Sequence, residues 1–180
     1  MTTPESPDGY TPYKKYSPHR LVLLLIIAIL LTVAGLVIFL EDVVLYPQNN
    51  VKLIVGAGIA IVATIYVHES LHYLANSAIG YDPVFVWPNA VYVPEVSLDL
   101  WEITVVLLAP QFLSVTYTVL LITGAVNDLA IVVGWGLILN LGGAASDVFW
   151  IVRRLTWPAE TKVVVGDDKK NYVAFPKDSL

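Results

Sequence analysis

Long apolar runs alternate with short polar stretches along the chain. The four apolar runs cover residues 21–40, 51–79, 103–125 and 129–152. Each run is long enough for a helix that crosses a bilayer, which takes about 20 apolar residues. The spacing therefore predicts an all-α membrane protein, built as a four-transmembrane-helix bundle.

A break in the helical pattern separates the second run from the third. Gly80 and Pro83 are expected to end the second helix. Beyond them, β-branched and aromatic residues at 84–87 and 91–93 flank a Pro-Asn-Ala turn, which predicts a small β-hairpin insert between helices 2 and 3. The hairpin is expected either to form a plain interfacial loop or to offer an edge strand to an extended substrate peptide, and the residues leave both interpretations open.

A proline, Pro110, lies inside the third run. Because proline has no backbone N–H and its ring clashes with the preceding turn, we expect the third helix to kink there. Gln111 and Ser114 are the polar side chains near the kink, and we expect them to satisfy backbone groups that the proline frees.

The polar ends of the chain predict two tails around one membrane domain, residues 21–155. Residues 1–20 contain four prolines and few apolar residues, so a disordered cytoplasmic tail is expected. Residues 156–180 are also polar and predict a short C-terminal extramembrane tail. Within that tail, apolar residues on both sides of a charged turn at 166–170 predict a small hairpin.

Composition supports a membrane location and narrows the chemistry. Hydrophobic residues make up 57% of the chain and charged residues 14%, whereas soluble domains carry about 25% charged residues. The lack of cysteine excludes disulfides and thiolate metal ligands. The sequence has no basic stripe interleaved with aromatic residues, so nucleic acid is not an expected partner. The partner that composition predicts is the lipid bilayer.

Basic residues flank the membrane domain at both ends. Lys14, Lys15 and Arg20 precede the first run, and Arg153 and Arg154 follow the fourth. Positively charged residues favour the cytoplasmic side of a membrane. We therefore expect a multi-pass protein of the cell membrane with its N- and C-termini in the cytoplasm.

The second run contains the sequence His-Glu-Ser-Leu-His at residues 68–72. Positions four apart share one face of a helix, so His68 and His72 present two imidazoles to the same zinc ion. Glu69 lies about 100° further around the helix, where it suits a general base that takes a proton from water. Ionisable groups inside a membrane helix cost roughly 2.5–3.5 kcal/mol each, which favours a functional site. The alternative is that the histidines only form hydrogen bonds within a polar bundle interior.

A catalytic zinc site takes three protein ligands and keeps one position open, so one more ligand is needed. Asp147 in the fourth run is the candidate, since it lies two helical turns from Asn140 on a face that also carries Gly143 and Ala144. Small residues on that face allow close helix approach. Asn140 is a candidate for binding the substrate or stabilising an oxyanion, and the alternatives are that it orients Asp147 or ties helices together. For Asp147 itself, the alternative is an ion pair with the arginines at the helix end.

These features together resemble the DUF3267 family of zincin-like membrane metallopeptidases, which is related in outline to site-2 proteases. The resemblance is carried by the motif at 68–72, the hairpin-like insert, Ala109-Pro110 and the stretch from Asn140 to Asp147. It covers residues 20–175 and implies zinc-dependent hydrolysis of peptide bonds at or within the membrane. Site-2 proteases carry an aspartate in a Leu-Asp-Gly motif on a later span, whereas Asp147 lies in Ser-Asp-Val.

The sequence thus predicts a hydrolase, a zinc metallopeptidase that acts on a membrane protein or peptide. Glu69 is expected to be the catalytic base, and His68, His72 and Asp147 are expected to bind Zn²⁺. The alternative function is a non-catalytic zinc-binding membrane scaffold or pseudo-protease. A transporter is less favoured, because transport usually needs polar groups strung along a path through the bilayer and here they gather at one depth.

Overall fold

The structure is a computed structural model that describes residues 4–16, 50–86, 90–125, 129–166 and 169–179. The first predicted span, residues 21–40, lies outside the described residues. The helices are α1 (Asn50–Ala78), α2 (Leu100–Leu108), α3 (Gln111–Thr123) and α4 (Ala130–Leu155), with a short 3-10 helix at Lys177–Ser179. The strands are β1 (Lys14–Lys15), β2 (Val84–Val86), β3 (Ala90–Tyr92), β4 (Lys162–Val165) and β5 (Asn171–Ala174).

The prediction of an all-α four-helix bundle is wrong. Strands in the described residues form two antiparallel sheets, the pair β2-β3 and a three-stranded sheet in the order β1-β5-β4. Two helical stretches among those residues, Leu100–Thr123 and Val132–Leu155, are long and apolar enough to cross a membrane. The two predicted hairpins supply four of the five described strands, and the unpredicted strand is β1, which joins β5 from the other end of the sequence.

Helix α1 is buried along a single stripe. Every fourth residue from Gly56 to Asn76 is buried, and the stripe includes both histidines of the motif. Its members are small or polar, which lets α4 pack closely across them. On the other side of α1, the side chains of Val55, Ile59 and Val62 are exposed. The helix therefore turns the face that carries both histidines toward its neighbours and an apolar face outward.

Helices α2 and α3 form one helical rod that is interrupted at Ala109 and Pro110. The sequence predicts a kink at this position. The Leu113 N–H donates to the Pro110 carbonyl at 3.0 Å, so the chain turns back into a helix within one turn. Helix α3 ends at Gly124, whose φ of +67° is a conformation that glycine adopts easily. Both halves of the rod pack against α4.

The insert between α1 and α2 is the predicted β-hairpin. Strands β2 and β3 pair antiparallel, with Phe85 opposite Val91. Phe85 also stacks on Tyr66 of α1, with 6.5 Å between the ring centroids. The hairpin therefore rests on α1 close to the histidine motif, and residues 87–89 of its turn lie outside the described residues.

The two ends of the chain form one sheet. Strand β5 pairs with β4 as the predicted C-terminal hairpin and with β1 on its other side. Thr11 and Phe175, 164 positions apart, are joined by two hydrogen bonds of 2.9 and 3.0 Å. The prediction of a disordered tail over residues 1–20 is therefore wrong for residues 4–16. Composition fails there because the partner that orders the segment lies at the far end of the sequence.

The C-terminal hairpin packs on the insert. Pro94, which follows β3, forms a parallel bridge with Val165 of β4. The Val163 N–H donates to the Ser97 hydroxyl at 3.0 Å. These contacts bring the predicted polar tail, residues 156–180, to the side of the molecule where the histidine motif lies.

Candidate metal centre

Helices α1 and α4 bring the three predicted metal ligands together. His68 and His72 lie one turn apart on α1, with 4.9 Å between their ring centroids. Asp147 on α4 reaches both imidazoles, since its Oδ2 is 3.4 Å from His68 Nε2 and its Oδ1 is 3.6 Å from His72 Nε2. One ligand atom from each residue lies within 4.8 Å of the others, and all three residues are buried. The sequence prediction that these three side chains meet is confirmed.

The other nitrogen of His68 is held by Asn140. The Nδ1–H of His68 donates to Asn140 Oδ1 at 2.8 Å. The side-chain amide of Asn140 donates in turn to the Pro110 carbonyl at 3.0 Å and to the Ser114 hydroxyl at 2.7 Å. Because a carbonyl only accepts, the bond to Pro110 fixes which way the Asn140 amide points. Asn140 therefore orients His68 from behind.

This position corrects the predicted role of Asn140 in substrate binding or oxyanion stabilisation. The side chain is 0% exposed and lies on the far side of the His68 ring from Asp147. It has no access to a substrate. Ser114 was predicted to satisfy a backbone group that the proline frees. Its hydroxyl instead accepts a hydrogen bond from the Asn140 amide.

The other nitrogen of His72 is held by a backbone group that the sequence interpretation missed. The Nδ1–H of His72 donates to the Val106 carbonyl at 2.8 Å. In an unbroken helix that carbonyl would accept from the N–H four residues later, which is the position of Pro110. Proline has no N–H, so the Val106 carbonyl is left for the imidazole. The sequence does indicate this free carbonyl, because Pro110 stands four residues after Val106 in the same helical run.

Both histidines are thus fixed in one tautomer. Each Nδ1 faces an oxygen that accepts a hydrogen bond, so each neutral imidazole carries its proton on Nδ1. Each Nε2 then presents a lone pair to Asp147. Metal-binding histidines are commonly oriented in this way, through a hydrogen bond from the ring nitrogen that does not bind the metal.

The spacing of the ligand atoms fits an ion between them. The nitrogen-to-oxygen distances of 3.4 and 3.6 Å exceed the 2.7–3.2 Å of an ordinary N–H···O hydrogen bond. Two ligands at about 2.0–2.1 Å from a tetrahedral zinc ion are about 3.3–3.4 Å apart. The buried Oδ2 of Asp147 has no hydrogen-bond partner among the described residues. Two imidazole lone pairs and a carboxylate oxygen therefore converge on a space that suits a divalent cation.

The competing interpretation, in which Asp147 pairs with an arginine, is wrong. Within the described part of the chain, the ion-pair partners of Asp147 are the two histidines. Arg153 instead lies over the Trp157 ring, 5.1 Å from its centroid. The carboxylate belongs to the histidine cluster.

A glycine on α4 lets the His68 ring approach. A methyl group built at Gly143 would lie 3.0 Å from Cε1 of His68 and 3.4 Å from each ring nitrogen. Ordinary carbon–carbon contacts are about 3.5–4.0 Å. The predicted use of Gly143 for close helix approach is confirmed, and the group that approaches is the imidazole itself.

Glu69 lies beside this cluster and borders a cavity. The residue is half-buried, and Val91 of β3 lines the same cavity. The cavity measures about 320 Å³ and is lined by Glu69, His72 and Asp147. A carboxylate and a ligand cluster therefore open onto one space.

The C-terminal hairpin helps to enclose that space. The residues of this hairpin that line the cavity are Val165, Lys169 and Asn171. No sequence feature indicates this role, because the contacts join segments that are far apart along the chain. The predicted tail is part of the wall of the site.

Comparisons with known proteins identify no relative. No family model matches the chain, and neither a curated protein nor a solved structure matches it. The similarity to the DUF3267 family, drawn from the motif and its context, stays a prediction.

Proposed function

We propose that the protein is a zinc-dependent peptidase that hydrolyses peptide bonds at or within a membrane. The observation that carries the proposal is the convergence of His68 Nε2, His72 Nε2 and an Asp147 oxygen beside a cavity that Glu69 borders. Three nitrogen and oxygen ligands with an open side are the arrangement of catalytic rather than structural zinc sites.

His68, His72 and Asp147 would hold the ion. When bound, zinc polarises a carbonyl group and lowers the pKa of a coordinated water toward about 7. Glu69 takes a proton from the attacking water and returns it to the leaving amine. Glu69 and Val91 both line the cavity, and burial of the cluster excludes bulk solvent from the ligands.

Several features support a membrane location. Two helical stretches of the described chain are long and apolar enough to cross a bilayer, and large apolar side chains such as Phe112 and Ile122 are 74% and 80% exposed. The pairing of β1 with β5 keeps the described N- and C-terminal segments on one side of the molecule. With the basic residues near both ends, that side is the cytoplasmic one.

The test measures metal content and proteolysis on the same preparations of full-length protein in detergent. Wild type is expected to bind one zinc per chain and to cleave a mixed peptide library. His68→Ala and Asp147→Ala are expected to lose zinc and activity. Glu69→Gln is expected to keep zinc and lose activity by about 10²- to 10⁴-fold, the usual contribution of a general base.

The matched control is Glu160→Gln, the same substitution at an exposed position. It is expected to change neither quantity. Unchanged proteolysis in Glu69→Gln would refute the general-base role. Zinc that binds through His68 and Asp147 without any cleavage by wild type would instead favour the non-catalytic scaffold.

A further inference from the structure

A second cavity continues from the one that Glu69 borders. It measures about 200 Å³, and the two cavities share Val91 and Tyr92 of β3, Val106 of α2 and Trp150 of α4. We propose that this inner cavity binds a bulky apolar side chain of the substrate, next to the bond that is cleaved. The proposal rests on the peptidase function above and names its substrate class.

The inner cavity has the size and lining of an apolar side-chain pocket. Its far end, away from the cavity that Glu69 borders, is formed by Val96, Leu98, Ile103 and Val163. An apolar protein cavity of about 150 Å³ binds benzene, so a space of about 200 Å³ holds a branched aliphatic or phenyl side chain.

The inner cavity has one polar residue, Asn76, on the side of α1. Asn76 lines the inner cavity and is 2% exposed. Its amide nitrogen donates to the His72 carbonyl at 2.9 Å, which fixes the orientation of the side chain. Its Oδ1 is buried with no hydrogen-bond partner among the described residues. Because that oxygen is buried, the part of Asn76 that borders the inner cavity adds little polarity to its wall.

The occupant is a peptide because of the strand that borders both cavities. Val91 of β3 lines both the cavity that Glu69 borders and the inner cavity. An extended peptide that runs along β3 would pass Glu69 and turn alternate side chains to opposite faces. One of those side chains then points into the inner cavity while its backbone lies beside the metal ligands.

The experiment measures cleavage by full-length protein in detergent. The substrates are quenched fluorescent peptides that differ only in one residue on either side of the cleaved bond, which is Ala, Leu, Phe or Trp. For wild type we expect kcat/KM for Leu or Phe to exceed that for Ala by about 10- to 100-fold, the usual gain from burying such a side chain. Equal rates for Ala, Leu and Phe at every position would overturn the proposal.

Two variants test the cavity itself. Val163→Phe fills its far end and is expected to abolish the preference for Phe while the Ala peptide is still cleaved. Leu98→Ala enlarges it and is expected to shift the preference toward Trp. The matched control, Val152→Phe, places the same ring on an exposed site of α4 and is expected to keep the wild-type preference. A preference that survives both cavity variants would contradict the assignment.

A binding assay separates failure of the pocket from failure of the peptidase function. Hydroxamates that carry an Ala or a Phe side chain chelate zinc and need no catalysis. If zinc-loaded wild type cleaves nothing, the peptidase function fails. The pocket still predicts that the Phe hydroxamate binds about 10-fold more tightly than the Ala hydroxamate, and that Val163→Phe removes the difference. Equal affinities in wild type would refute the pocket.

Discussion

Replacing Gly143 by alanine isolates the effect of one methyl group on the metal centre. The added Cβ would lie 3.0 Å from Cε1 of His68 and 3.4 Å from both ring nitrogens. The contact with Cε1 is about 0.5 Å shorter than an ordinary carbon–carbon contact, so the ring has to move away from α4 by a few tenths of an ångström. That movement carries Nε2 away from its place 3.4 Å from Asp147.

The same substitution has an opposite effect on the helix. Alanine in a helix interior is more favourable than glycine by about 0.5–1 kcal/mol. The metal-free protein is therefore expected to unfold at the wild-type temperature or slightly above it. Displacing the surroundings of a metal ligand typically weakens metal binding by about 10- to 100-fold. We expect Gly143→Ala to raise the zinc dissociation constant by about 10-fold without loss of fold.

The assay is competition for zinc against a chromophoric chelator, with thermal unfolding of the metal-free protein measured in parallel. The control is Gly58→Ala, which makes the same change on α1 at a site where a Cβ would meet nothing within 4 Å. Gly58→Ala is expected to bind zinc as wild type does. If Gly143→Ala also binds zinc with wild-type affinity, the ring does not depend on this glycine and the close-approach argument is wrong.

Four further substitutions, two at Pro110 and two at Asn140, test how the imidazoles are held. Pro110→Ala supplies the N–H that the proline lacks, so the Val106 carbonyl becomes a helix acceptor and His72 loses its partner. We expect its zinc dissociation constant to be about 10-fold higher than that of wild type. The control is lactic acid at position 110, which forms an ester and so has no N–H. It should keep the wild-type zinc affinity. Asn140→Leu removes the acceptor for the His68 N–H and should weaken zinc binding at least as much. Asn140→Asp keeps an acceptor and should weaken zinc binding less. Chelator competition measures the zinc affinity of all four variants, and equal zinc affinity for Asn140→Leu and wild type would contradict the orienting role.

The local parts of the site could be predicted from the sequence. The spacing of His68 and His72 places them on one helical face, and the small residues around Gly143 indicate where a second helix approaches. The β-hairpin insert and the break at Pro110 were likewise readable, because turn residues and proline act on their immediate neighbours.

The rest depends on contacts between distant segments. Nothing near residues 4–16 indicates that they join β5, because a strand edge is supplied from the other end of the chain. Asn140 lies buried behind His68 because α4 packs against α2 and α3, where the Pro110 carbonyl and the Ser114 hydroxyl accept its amide. The hydrogen bond from His72 goes to the backbone carbonyl of Val106. Patterns of residue types describe side chains, so they do not point to such a partner. These features decided the fold class and the role of Asn140, the two predictions that the structure corrects most.

The most direct test of the central claim is the zinc K-edge X-ray absorption spectrum of protein loaded with one equivalent of zinc. We predict four nitrogen or oxygen ligands at about 2.0–2.1 Å, two of them imidazoles, and loss of the bound zinc in His72→Ala and in Asp147→Ala. A spectrum without imidazole scattering, or one that Asp147→Ala leaves unchanged, would contradict it.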